Sequence, residues 1–240
     1  MPTGSSWPRA TEVCAFVADA AAFGADRDRI AQACDGMTAA EHARFDRFRH
    51  DSDRHMFALG RLMARTLVGR ALGISPTAWT WREGPHGRPE IDRPATDLQF
   101  NLSHSAGLVI CVLARGREVG VDVEDLTRRA PDPAVVPRYL APVEADDVHA
   151  HGERWRDRFL AYWTLKEAYL KARGVGISLP LSEIAFTLTA DGARIGFERS
   201  LAGADDRWAF HLWQPGSRYL AAMAAGTADG ARPAFTVQPF

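Results

Sequence analysis

The order of apolar and polar positions divides the chain into short strands and helices that recur in a similar sequence in its two halves. Val13–Ala18 is an apolar run short enough for a buried strand, and Asp26–Cys34 reads as a short helix. Thr38-Ala-Ala-Glu41 has capping-box spacing and predicts an arginine-rich helix ending near Arg49. A longer helix is predicted from a cap at Asp53 to about Leu72, with Gly73 as its stop. Trp79–Arg82 is strand-like, and Gly84-Pro-His-Gly-Arg-Pro89 is dense in turn formers.

Three short strands are expected next, at Leu98–Leu102, Leu108–Leu113 and Val119–Val123. A proline-rich stretch from Pro131 to Pro142 precedes a polar helix near Glu144–His149. A helix from about Trp155 to Arg173 follows and stops at Gly174 and Gly176. Ile184–Leu188, Ala193–Phe197, Trp208–Trp213 and Tyr219–Ala224 are expected to form one small antiparallel sheet. The fold class is α+β. Gly116–Gly120 lies near the centre, and no residue-level repeat accompanies the repeated order of elements.

Composition narrows the class without naming a chemistry. A chain of 240 residues, 46% hydrophobic and 25% charged, suits one large globular domain or two small ones. Its formal net charge of −1 argues against a polyanion-binding chain, so no nucleic-acid partner is expected. Cys14, Cys34 and Cys111 are scattered and odd in number, as expected of apolar thiols in a reducing compartment. No stretch approaches the ~18 apolar residues of a membrane span, and Met1 to Val13 lacks the pattern of a secretion signal. A cytoplasmic, monomeric enzyme without a membrane partner is expected.

One bias does point to chemistry. Of the 29 Lys and Arg residues only Lys166 and Lys171 are lysines, leaving 29 − 2 = 27 arginines. Both lie in Trp163-Thr-Leu-Lys-Glu-Ala-Tyr-Leu-Lys171. A lysine is a compact point charge and an arginine a planar fork, so these positions are candidates for sites where arginine would not serve.

Val119-Gly-Val-Asp-Val-Glu124 is an apolar strand whose period of two puts Asp122 and Glu124 on one face. Such a pair either gathers a cation, of which Mg²⁺ is the simplest, or runs into a solvated acidic turn at Glu124-Asp125. Trp163, Glu167 and Lys171 are spaced i, i+4, i+8 on one helix face. That face could hold a metal-bound diphosphate, or simply carry a surface Glu–Lys pair. Lys166 lies ~100° around the helix from Glu167. Asn101-Leu-Ser-His-Ser105, at the end of a predicted strand, suits phosphate or nucleotide binding, whereas His50, His55, His149 and His151 are expected to be solvated.

Gly-Arg-Pro89, Asn-Leu-Ser-His-Ser105, Gly-Val-Asp-Val-Glu124 and Trp-Thr-Leu-Lys-Glu-Ala-Tyr-Leu-Lys171 occur in this order. Together they resemble the 4′-phosphopantetheinyl transferases, specifically the large single-chain, Sfp-type branch. The resemblance spans about Thr38 to Pro180 and continues more loosely beyond it. It implies a pseudo-dimer of two similar α+β halves, 1–117 and 118–240 here, with coenzyme A between them. It also implies transfer of phosphopantetheine from coenzyme A to a serine of an acyl or peptidyl carrier protein.

By matching positions, the resemblance makes Asp122, Glu124 and Glu167 the Mg²⁺ ligands, with Glu167 and Lys171 catalytic. Lys171 would also contact the coenzyme A phosphates. Arg44, Arg88, Ser103 and His104 would bind the nucleotide, His104 at the 3′-phosphate, with Arg61 as a further candidate. Met56 stands where Sfp-like members carry an arginine. The alternatives are a metal-dependent phosphodiesterase or nuclease, and a coenzyme-A-binding module without catalysis.

Overall fold

The computed structural model describes residues 7–84, 86–128, 131–176, 179–189, 192–197, 207–227 and 230–240. The chain is α+β and divides into two units, Met1–Gly116 with Ala234–Phe240, and Arg117–Pro233. Each unit packs helices against small sheets.

In the first unit, β1 (Glu12–Asp19) is followed by α1 (Ala20–Gly24), α2 (Arg27–Asp35), α3 (Ala39–Arg47) and α4 (Asp51–Leu72). The hairpin β2 (Thr80–Glu83) and β3 (Pro89–Arg93) precedes β4 (Leu98–Ser105) and β5 (Leu108–Arg115). The second unit begins with β6 (Val119–Asp125), α5 (Val136–Tyr139), α6 (Pro142–Ala150) and α7 (Trp155–Arg173). It continues through β7 (Ile184–Thr189), β8 (Gly192–Phe197), β9 (Trp208–Trp213) and β10 (Tyr219–Gly226), after which β11 (Ala234–Pro239) returns to the first unit.

Local signals account for most helix ends. The Thr38 hydroxyl accepts from the Glu41 amide while the Glu41 carboxylate accepts from Thr38, the reciprocal box the spacing predicts. Gly73 and Gly174 end α4 and α7 in the left-handed conformation at φ 69° and 64°, which costs a glycine little. Asp53 is not a cap: the cap position of α4 is His50, three residues earlier, whose side chain makes no capping bond. Its start is set by burial of Met56, Phe57 and Leu59 in the core rather than by a local hydrogen bond.

Sheet pairing departs further from the sequence expectation. The last strands do not form one sheet. β9 and β10 join β6 in the order β6-β10-β9, and β7 pairs with β8 as a separate hairpin. β11, absent from the sequence reading, lies parallel to β1 in the sheet β11-β1-β5-β4. The expected C-terminal half running to 240 therefore loses its last strand to the first unit. Long-range pairing decides this, and hydropathy carries no record of partners so distant in sequence. Cys14 and Cys111 are buried in the first core, and Cys34 is half-buried at its margin.

Candidate active site

In the second unit, a glycine decides how closely α7 meets β6. A Cβ at Gly120 would stand 2.2 Å from the Ala168 carbonyl oxygen and 2.3 Å from the Ala172 nitrogen. Only a residue without a side chain lets the helix backbone settle here. Gly120, Asp122 and Glu124 share a strand face by their period of two. The same close packing brings Asp122 and Glu124 to the Trp163–Glu167–Lys171 stripe of α7.

The resulting contacts are specific. The Lys171 ammonium donates to Asp122 Oδ1 at 2.6 Å, and the Trp163 indole N–H donates to Glu124 Oε1 at 2.8 Å. Glu167 Oε1 is buried and accepts no hydrogen bond among the described residues. Burial and then the Asp122 carboxylate push the Glu167 carboxyl above the usual glutamate range, while Lys171 pulls it back. Glu124 is raised by the same two causes in the same order, and the Trp163 bond opposes them. Lys171 and Trp163 are thus what allow three carboxylates to remain near one another.

Among the described residues, no three His, Cys, Asp or Glu side chains converge into a ready metal cage. One oxygen of Asp122 faces an ammonium instead. The set still offers the carboxylate oxygens that Mg²⁺ takes. Glu167 Oε1, which accepts no hydrogen bond among the described residues, is a lone-pair atom such an ion could take.

Beside Glu124 opens a pocket of about 350 Å³. Its wall is aromatic: Tyr139 meets Trp163 edge-on at 5.1 Å, and Phe159 stacks with Trp163 at 6.4 Å. Arg128 and Arg156 add positive charge to the lining. Asp125, which one of the two sequence readings put in a solvated turn, is 6% exposed. Arg218 and Thr127 bind it and hold its carboxyl well below the usual aspartate range.

The other predicted residues belong to the first unit. Arg44 is exposed on the last turn of α3, its guanidinium 5.4 Å from the centre of the Phe57 ring. Arg61 is not free to the same degree. Its guanidinium pairs with Glu41 at 2.8 Å between the rings of Phe57 and Trp81, at 4.5 and 5.0 Å. Burial lowers its pKa. Arg65 joins Glu41 from the next turn at 3.1 Å, a partner the sequence reading did not name, although i+4 from Arg61 marks it. Met56 is buried, and its sulfur accepts the Gly107 amide in the β4–β5 turn at 3.2 Å.

Asn101-Leu-Ser-His-Ser105 forms the C-terminal end of β4, just before the turn at Ala106–Gly107, as the sequence predicts. Ser103 is therefore buried on the face of Gln99 and Asn101, while His104 is exposed on the face of Leu102. Arg88 reaches the Gln99 side chain at 3.5 Å.

The two units also correspond to two separate family matches. Residues 118–224 match the 4′-phosphopantetheinyl transferase superfamily, and residues 23–115 match the family described as 4′-phosphopantetheinyl transferase, N-terminal. A 4′-phosphopantetheinyl transferase of Bacillus subtilis is 31% identical over 169 residues, covering 70% of this chain and 72% of that one. A phosphopantetheinyl transferase of Thraustochytrium sp. is 31% identical over 240 residues, covering 93% of this chain and 82% of that one. A third, from Nostoc sp., is 35% identical over 156 residues but matches just under two thirds of its own length, 65%, and 64% of this chain. The chain belongs to the 4′-phosphopantetheinyl transferase superfamily and is an enzyme of that family. No helix among the described residues is long and apolar enough to cross a membrane.

Proposed function

We propose that this chain transfers the 4′-phosphopantetheine group of coenzyme A to a serine hydroxyl of an apo acyl or peptidyl carrier protein. The observation that carries this reading is the face shared by Asp122, Glu124, Glu167 and Lys171, held together by the close approach at Gly120. The serine oxygen forms a bond to the β-phosphorus of coenzyme A. The bond from that phosphorus to the bridging oxygen breaks, releasing adenosine 3′,5′-bisphosphate.

Asp122, Glu124 and Glu167 are the residues that would hold Mg²⁺, which when bound offsets negative charge on the diphosphate. Lys171, already poised on Asp122, adds a positive contact for a phosphoryl oxygen. Glu167 is the candidate base for the serine proton, since burial and its acidic neighbours raise its proton affinity and leave Oε1 without a partner. Trp163 orients Glu124, and the aromatic pocket beside it suits the pantetheine arm.

Arg44, Arg88, Ser103 and His104 are the proposed nucleotide contacts of the first unit, with the forked arginines suited to a terminal phosphate. His104 is assigned to the 3′-phosphate. Arg61 is the weakest of the set because Glu41 already neutralises it. Replacing Arg88 by alanine should raise KM for coenzyme A about tenfold while changing kcat little, as for a lost charge-assisted contact.

The deciding experiment incubates the protein with coenzyme A, Mg²⁺ and a panel of apo-carriers and reads intact mass. A phosphopantetheine adduct on at least one carrier is expected. Folded protein that modifies none of them would overturn the proposal.

A further inference from the structure

Lys171 has a place in the proposed chemistry, but Lys166, the chain's other lysine, does not. Its ammonium is 0% exposed and donates to Glu144 Oε2 at 2.6 Å, the Leu181 carbonyl at 2.6 Å and the Ile184 carbonyl at 2.5 Å. Three protons meet three acceptors. Glu144, also 0% exposed, accepts from the Ala141 amide at 2.8 Å through Oε2 and from the Phe186 amide at 2.7 Å through Oε1. One buried pair therefore joins the start of α6, the middle of α7 and the approach to β7.

This arrangement explains a lysine in a chain that otherwise uses arginine. A tetrahedral ammonium can direct its three protons to acceptors converging on one point, whereas a guanidinium spreads its donors in a plane. Stability alone is a weak reason to keep the pair. Desolvating two charges often costs as much as their attraction returns, and an apolar replacement of similar volume is frequently no worse.

Position on the helix supplies a better reason. Lys166 lies ~100° to one side of Glu167, and Ala168 lies ~100° to the other. Ala168 and Ala172 are where α7 rests on Gly120. The stripe of Glu167 and Lys171 is thus bracketed by two fixed contacts, one against β6 and one against the segment 181–186.

We propose that Lys166 is a positioning residue for the transfer reaction: its buried bond to Glu144 and the two carbonyls fixes the rotation of α7, so that Glu167 and Lys171 face Asp122 and Glu124. This rests on the transferase reading above. Rolling the helix would move Glu167 without removing any group from the site, and a displacement of ~1 Å at a catalytic group can cost about 10²-fold in rate.

The test uses the full chain with three substitutions, Lys166→Met, Lys166→Arg and Glu144→Gln. It measures transfer kinetics, calorimetric Mg²⁺ titration in the presence of coenzyme A, and circular dichroism. Lys166→Met should lower kcat about 10²-fold with KM for coenzyme A within about threefold, and weaken Mg²⁺ binding about tenfold, in protein that remains folded. Lys166→Arg should not rescue it. Glu144→Gln keeps the shape and one acceptor oxygen; with that oxygen on the Ala141 amide and Lys166 it loses only the Phe186 amide contact, so it should show a smaller loss of the same kind even if Lys166→Met fails to fold. A lowered Tm with unchanged kcat and unchanged Mg²⁺ binding would overturn the proposal. Absence of transfer by the unaltered chain would instead overturn the transferase reading, and the Mg²⁺ titration would still judge the positioning of Glu167.

Discussion

At the scale of single residues, the site trades stability for charge. Glu124 and Glu167 are half-buried near Asp122, and both carboxyls have raised pKa values. A raised acid pKa means that the folded state binds protons more readily than the unfolded chain. Such a group's contribution to stability therefore falls as pH rises through its folded pKa, leaving an unfavourable term at neutral pH. Glu167→Gln should lower kcat about 10²-fold in the transfer assay. The same substitution should raise the Tm of the metal-free protein by ~2 °C at pH 7, followed by circular dichroism. That gain should shrink towards about pH 4, where the unaltered glutamate is itself protonated. A Tm gain independent of pH would contradict the assigned cause.

The sequence reached these residues by different routes. Period two put Asp122 with Glu124, and i, i+4, i+8 put Trp163 with Glu167 and Lys171. That the two faces meet was not readable from spacing. The structure supplies the meeting through Gly120, a residue that spacing gave no reason to single out. The scarcity of lysine marked both Lys166 and Lys171 and helical spacing set them on different faces, but only the structure shows that Lys166 is bonded to buried carbonyls and Lys171 to Asp122.

At the scale of elements, the close fit of α7 on β6 is the most sensitive joint. Gly120→Ala would press a methyl group into helix backbone, which cannot move aside as a side-chain tip would. A loss of about 3 kcal/mol is expected in urea unfolding, with reduced transfer activity in the folded fraction. Thr38→Ala removes half of a capping box in the first unit and should cost only ~1 kcal/mol, leaving kcat unchanged. Helix ends were legible because caps and left-handed glycines act within a few residues. Strand partners were not: β6 pairs with β10 nearly a hundred positions later, and the hydropathy of either strand is silent about the other.

At the scale of the whole molecule, β11 shows how far the chain returns. It pairs in parallel with β1, and the Phe240 amide donates to the Val17 carbonyl at 3.0 Å. Ending the chain at Pro233 would leave one edge of β1 without its strand. Hydrogen exchange at the β1 amides should quicken at least ~10-fold, and β6 and β10 should keep their protection. Equal loosening of both units would contradict the assignment of β11 to the first. An uncovered β1 edge should also make the shortened chain prone to aggregate, visible as loss of monomer in size-exclusion chromatography.

The sequence by itself determined the α+β class, most helix limits and the membership that ordered motifs announce. These depend on short-range geometry: a period of two or 3.6, a cap three residues away, a glycine at a helix end. Tertiary structure alone decided which strands share a sheet, that Asp125 is bound by Arg218, and that Lys166 is sealed against Glu144. Those outcomes require groups distant in the chain to exclude water together, and their energy exists only once the packing has formed.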